Sequence, residues 1–199
     1  MIPLITKEDF EEKIRTKLQV DFNVTPVEAS DNQIYKALSA VVVELLRTKR
    51  RKFRNQVHSA GKKEIYYLSM EFLMGRSLKT SLFNLEINDM AEEILKKWDV
   101  NIDRVYDYEP DAGLGNGGLG RLATCYLDGL ATDAYPAMGY SICYEYGIFK
   151  QKLEDGWQTE YPDNWLPGGE SCSFPRQTRL LRCTLTASSM STGTISIIT

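Results

Sequence analysis

With 199 residues, 43% of them hydrophobic and 26% charged, the chain is long enough to bury a sizeable core and has the make-up of an ordinary globular protein. A net charge of −3 gives no general reason to expect a nucleic-acid partner, and no stretch reaches the ~20 apolar residues that span a bilayer. Residues 1–19 carry acids and lack the continuous apolar segment of a secretion signal, so the expected location is the cytoplasm, with no membrane partner.

In chain order, Thr6 with Asp9 three residues later forms a helix start, and Phe10, Ile14 and Leu18 keep i+4 spacing, which predicts a helix through about residue 19. Ser30 or Asp31 caps a second, longer helix with the stripe Ile34, Leu38, Val41, Val42, Leu45 and Leu46, ending before Gly61. Its basic run, residues 47–54, fits a solvated face near a helix end better than a contact with phosphates or anionic lipid. Residues 65–69 read as a buried strand, and two helices are expected at residues 77–85 and 88–98. A further strand is expected at residues 141–146. Residues 148–153 and 157–161 flank Asp155-Gly156, a strong hairpin turn.

Between these elements, Asp111-Ala112-Gly113-Leu114-Gly115-Asn116-Gly117-Gly118-Leu119-Gly120-Arg121 places five glycines in eight positions, directly before apolar residues at helical spacing, Leu122, Cys125, Tyr126, Leu127 and Leu130. Backbone without Cβ atoms approaches a ligand closely, and a helix start offers unpaired N–H groups and roughly half a positive charge. That is the layout of a phosphate cradle. A tight turn that merely needs glycine is the structural alternative, and G-x-G-x-x-G at Gly113, Gly115 and Gly118 is weak evidence alone.

The single histidine, His58, leaves no His-rich metal centre and no obvious base for a Ser/His or Cys/His pair. It is expected at the surface, near a helix end. The four cysteines, Cys125, Cys143, Cys172 and Cys183, lack zinc spacing and read as reduced thiols. Tyr66, Tyr67, Tyr140, Tyr144, Tyr146 and Phe149 fit core packing better than sugar stacking.

The motif Tyr66-Tyr67-Leu68-Ser69-Met70-Glu71-Phe72-Leu73-Met74-Gly75-Arg76-Ser77-Leu78, the glycine run, Tyr144-Glu145-Tyr146-Gly147-Ile148-Phe149-Lys150-Gln151-Lys152 and Asn164-Trp165-Leu166 together resemble the glycogen/starch (α-1,4-glucan) phosphorylase family. The resemblance covers roughly residues 10–168. It implies an α/β fold, residues 1–168 forming part of the amino-terminal domain of a two-domain GT-B-type glycosyltransferase. The carboxy-terminal Rossmann-like domain, which holds the pyridoxal 5′-phosphate lysine, is expected to be absent from this chain. The activity implied is phosphorolysis of terminal α-1,4-linked glucose to glucose 1-phosphate. The partners implied are α-glucan, inorganic phosphate and, for the intact enzyme, a second copy. The chain alone is expected to be inactive. A non-catalytic phosphate- or sugar-phosphate-binding module and an inert truncation product are the alternatives. No phosphorylation-site or nucleotide-site signature of the regulated animal enzymes is evident in the amino-terminal region.

By the same resemblance, Gly117 and Gly118 lie against the cofactor and substrate phosphates, and Leu119 offers its N–H to the glucosyl unit. Glu71, Asn116 and Arg121 stand behind them. Arg121, a cation expected to open a helix, opposes the dipole unless an anion is near, so it is expected to pair with Glu71 and brace the loop, a solvent-facing Arg121 being the alternative. Arg76 raises the same question.

Beyond Trp165 the character changes: residues 171–199 contain twelve Ser or Thr and no acid. Such a segment buries too little apolar area to offset its ordering entropy. Written in permitted codons and read one base out of register, residues 181–198 spell EVHFDGFIDEYWDNIHH, which resembles the family's continuation more closely. Residues 169–199 are therefore expected to be an out-of-frame, disordered tail.

Overall fold

A computed structural model of the protein describes residues 5–166. The expectations for the tail, and for Cys172 and Cys183, lie outside the described residues. The chain divides into two units, Met1–Asn55 with Arg76–Pro110 and Gln56–Gly75 with Asp111–Thr199.

The first unit is helical. In α1 (Lys7–Phe22), Thr6 Oγ1 accepts the Asp9 N–H at 3.1 Å, and Asn23, left-handed at φ 54°, returns its N–H to Gln19 O. Phe10, Ile14 and Leu18 are fully buried, as their spacing requires. Helix α2 (Asp31–Ser59) starts at a reciprocal cap: Ser30 N–H donates to Gln33 Oε1 at 2.8 Å, and Gln33 N–H donates to Ser30 Oγ at 3.4 Å. Its stripe Ile34, Leu38, Val41 and Val42 meets α1 residues in one core cluster, while residues 51–56 are exposed.

The helices α3 (Leu78–Asn84) and α4 (Asn88–Lys97) add Leu82, Ile94 and Leu95 to that core. α3 is capped by a distant residue. The buried Glu109 carboxylate accepts the Ser77 N–H at 2.6 Å, the Ser77 hydroxyl at 2.9 Å and the Leu78 N–H at 2.9 Å. A five-residue helix, α5 (Ile102–Tyr106), follows, too short to announce itself by periodicity. Burial pushes the Tyr106 phenol up to about 12, and its Oη donates to Asn88 Oδ1 at 2.9 Å. Arg76 pairs with Asp107 at 3.2 Å, which answers its charge.

The second unit pairs β1 (Ile65–Leu68) with β2 (Ala137–Tyr140) in parallel, Ile65 opposite Ala137 and Leu68 opposite Tyr140. Helix α6 (Gly117–Thr132) precedes β2 and covers part of the pair: the Tyr67 ring meets Phe72 at 5.9 Å and Tyr126 at 6.0 Å, and Leu127 packs where Gly139 lacks a side chain. Two expectations are corrected. The strand expected at residues 141–146 lies earlier, at β2. The ladder ends where Ser69 N–H donates to Tyr140 O, and the Ser141 and Tyr144 hydroxyls then turn to Met70 O. The strand expected to be buried is largely exposed, with Tyr66 at 55% and Leu68 at 76%. Parallel strands are normally covered on both faces, and among the described residues β1 has one strand partner.

The hairpin of β3 (Lys150–Glu154) and β4 (Trp157–Tyr161) turns at Asp155 and Gly156, both at positive φ (52° and 82°), the two-residue turn read from the sequence.

Candidate functional site

Within the second unit, the extended residues after β1 hold the glycine run at three points. Phe72 N–H donates to Leu114 O, Leu73 N–H donates to Gly120 O, and Glu71 Oε2 accepts the Asn116 N–H, each at 3.0 Å. Glu71 is itself fixed by Ser69, whose Oγ donates to Glu71 O at 2.8 Å and accepts the Glu71 N–H at 3.2 Å. Two of these three contacts join main-chain groups, and the third depends on the Glu71 carboxylate.

The five glycines have different reasons to be there. A Cβ on Gly113 would lie 2.4 Å from the Trp165 ring, one on Gly115 would lie 2.8 Å from Phe72 backbone, and one on Gly120 would approach Glu71 Oε2 at 3.2 Å. These three permit close packing inside the protein. Gly117 stands at φ +68°, a conformation that side chains disfavour. Gly118 has neither reason: its φ is not positive and, among the described residues, nothing lies within 4 Å of the Cβ position.

Asn116, Gly117, Gly118 and Leu119 are exposed where α6 begins, and the first turn of the helix holds no acid and no side-chain cap from Asn116. The N–H groups of a first turn have no partners within their own helix and sit at the positive end of its dipole. Open space, absent side chains and uncapped donors together favour an anion with several acceptor oxygens.

The expected Glu71–Arg121 ion pair is not formed among the described residues. The helix starts at Gly117, so Arg121 sits a full turn in, exposed, where the dipole no longer penalises a cation. Glu71 still braces the loop, through the Asn116 N–H. The sequence reading also missed the part played by Trp165, which is buried against Gly113. Its signal was the Asn164-Trp165-Leu166 motif, to which no role was attached.

Of the aromatic residues, Tyr66 and Tyr140 face each other at 5.8 Å and Tyr67 packs as described, whereas Tyr146 and Phe149 are 52% and 40% exposed. His58 is exposed near the end of α2. Cys125 and Cys143 are free thiols. Among the described residues no cluster of three His, Cys, Asp or Glu side chains is placed to hold a metal, and no helix is long and apolar enough to cross a membrane.

Residues 95–194 match the carbohydrate phosphorylase family model. The chain belongs to this family. It is 45% identical over 165 residues to a glycogen phosphorylase of Chlamydia pneumoniae, covering 83% of this chain and 20% of that protein. It is 44% identical over 165 residues to the human liver form (82% and 19%) and 38% identical over 182 residues to the enzyme of Saccharomyces cerevisiae (85% and 20%). The chain therefore spans about a fifth of the length of these relatives. The matched family region extends past Trp165 to residue 194, into the segment expected to be an out-of-frame tail.

Proposed function

We propose that this chain carries the phosphate-binding glycine loop of a cytoplasmic α-1,4-glucan phosphorylase, a two-domain GT-B-type enzyme whose full-length form releases terminal glucose as glucose 1-phosphate. The observation that carries the reading is Gly118: the fold neither needs a positive φ there nor packs anything against it, yet the position holds glycine at an exposed, uncapped helix start. Among the described residues nothing stands where a side chain at that point would go, which leaves the space open to a ligand.

In the reaction the C1–O bond between the terminal glucosyl unit and the glucan breaks, a C1–O bond to phosphate forms, and the departing 4-oxygen takes a proton. Charge on the phosphate and at C1 changes along this path. Pre-aimed N–H groups at Gly117 and Gly118 would hold phosphate oxygens without reorganising, and the Leu119 N–H would fix the glucosyl unit beside them. Glu71 and Asn116 keep the loop in register, and Arg121 adds positive potential from one turn along α6. The same open cradle fits the phosphate of pyridoxal 5′-phosphate, which when bound supplies a second phosphate for proton exchange. The residues of this chain would contribute main-chain donors to it, with its lysine in the second domain. A single copy of this chain holds one side of such a cleft, so the isolated 199 residues are expected to release no glucose 1-phosphate.

The test uses an active protein of the relatives' length containing these residues. Gly118→Ala should lower kcat on the order of 100-fold, the usual cost of disturbing one such donor, with an unchanged melting temperature. A fully active variant would refute the cradle. If the unaltered protein of that length binds phosphate without any turnover, the non-catalytic module is favoured.

A further inference from the structure

The Asn164-Trp165-Leu166 motif contains no titratable side chain, yet Trp165 is only 5% exposed. Its indole fills the space beside Gly113, where a Cβ would lie 2.4 Å from Cδ1, 2.7 Å from Nε1 and 2.8 Å from Cγ. From the same edge of the ring, Nε1–H donates to Tyr144 O at 3.0 Å. The Tyr144 hydroxyl donates in turn to Met70 O at 3.1 Å, and Ser141 Oγ donates to the same oxygen at 3.3 Å. Met70 precedes Glu71, the residue that holds the Asn116 N–H. These contacts run in a closed circuit from the first glycine of the loop, through Trp165, Tyr144 and Met70, back to the N–H just before Gly117.

We infer that Trp165 is a positioning residue for the phosphate loop, fixing the span from Gly113 to Asn116 at both ends so that the N–H groups of Gly117, Gly118 and Leu119 stay convergent. The inference rests on the phosphate reading given above. Its physical basis is the loop itself: a glycine-rich backbone has many accessible conformations and few side chains with which to restrict them, so convergence must be imposed from outside. A planar indole pressed on one glycine, with its single donor engaged, imposes it at low entropic cost. Trp165→Leu removes both the plate and the donor, whereas Trp165→Phe keeps most of the plate.

The experiment follows backbone amides of the 199-residue chain by NMR during titration with inorganic phosphate, for the unaltered protein, Trp165→Phe, Trp165→Leu and Gly118→Ala. The unaltered chain should respond at Gly117, Gly118 and Leu119. Trp165→Leu should weaken that response about tenfold and Trp165→Phe about threefold, while amides of Leu38 and Ile94 in the helical unit keep their positions. Wild-type phosphate affinity in both Trp165 variants, together with loss in Gly118→Ala, would overturn the positioning role and leave the phosphate reading standing. If Trp165→Leu unfolds the second unit, Trp165→Phe decides alone. No response at Gly117, Gly118 or Leu119 in the unaltered chain would overturn the phosphate reading and this inference with it.

Discussion

In the helical unit, Phe10, Ile14, Leu18, Ile34, Leu38 and Ile94 are fully buried, whereas in the glycine-loop unit Leu68, Met70, Leu119, Leu153 and Trp157 are between 69% and 81% exposed. Composition does not explain the difference, since both units are rich in apolar side chains. What differs is the means of closure. Helices α1, α2 and α4 bring apolar stripes of period three to four onto a shared core cluster. The second unit is ordered instead by individual hydrogen bonds, Phe72 to Leu114 and Leu73 to Gly120 between main-chain groups and Asn116 N–H to the Glu71 carboxylate, and by glycines that admit neighbours at close range.

The largest effect expected from this contrast is therefore in the helical unit. Leu38→Ala removes a fully buried side chain from the middle of the cluster and should cost about 2–5 kcal/mol of its stability, read as a lower urea midpoint for loss of helical circular dichroism. A loss below about 1 kcal/mol would mean that the core is loose enough to collapse into the gap, and the contrast would fail.

The second expectation sets two glycines three positions apart against each other. Gly115→Ala forces a Cβ to within 2.8 Å of Phe72 backbone, which no rotamer change relieves, and should cost about 1–3 kcal/mol, with faster amide exchange at Phe72, Leu73 and Asn116. Gly118→Ala meets empty space at an ordinary φ inside the first turn of a helix. It should leave stability unchanged or raise it by about 0.4–1 kcal/mol. Equal destabilisation by the two changes would show that the run is one tight turn, with no position set aside for a ligand.

These two outcomes also bear on what was legible in the sequence. The stripe and caps of α1 and α2 were readable because each depends on neighbours within four residues: Thr6 with Asp9, and Phe10, Ile14, Leu18 in one row. The capping of α3 was not, because its acceptor, Glu109, comes from 31 residues further along the chain. The same distinction divides the glycine run. Its density was visible, but density alone attributes five glycines to a ligand, whereas Gly113, Gly115 and Gly120 are accounted for by Trp165, Phe72 and Glu71. Which glycine faces outward is a non-local fact. The misplaced strand has a similar origin. Residues 141–146 have strand-like side chains, but the partner, β1, ends at Leu68, so pairing runs out at Tyr140 whatever the following residues prefer. The Glu71–Arg121 pairing failed because the helix start was set four residues too late, and with the start at Gly117 the dipole argument for a counter-ion no longer reaches position 121.

The smallest expected effect concerns charge on the helical unit. Glu11 bridges two elements, accepting from Lys97 of α4 at 2.9 Å and from Arg15 of α1 at 2.8 Å, and these hydrogen bonds, Lys97 foremost, hold its carboxyl below the ordinary carboxylate value of 4.5. A carboxyl whose folded value is depressed contributes stability above its unfolded value and loses it as pH falls through the folded one. The stability difference between the unaltered chain and Glu11→Gln should therefore be flat from pH 7 down to about 5.5, shrink below 4.5 and vanish at more acid pH. Because the two cations are about half-exposed, its size should stay under about 1 kcal/mol and fall further in ~1 M salt. Thermal melts of the two proteins across that pH range measure it. Because glutamine keeps the same methylene stem, a difference that persists unchanged at strongly acid pH would rule out the Glu11 charge as its source, and these ion pairs would then add nothing to the closure of the helical unit.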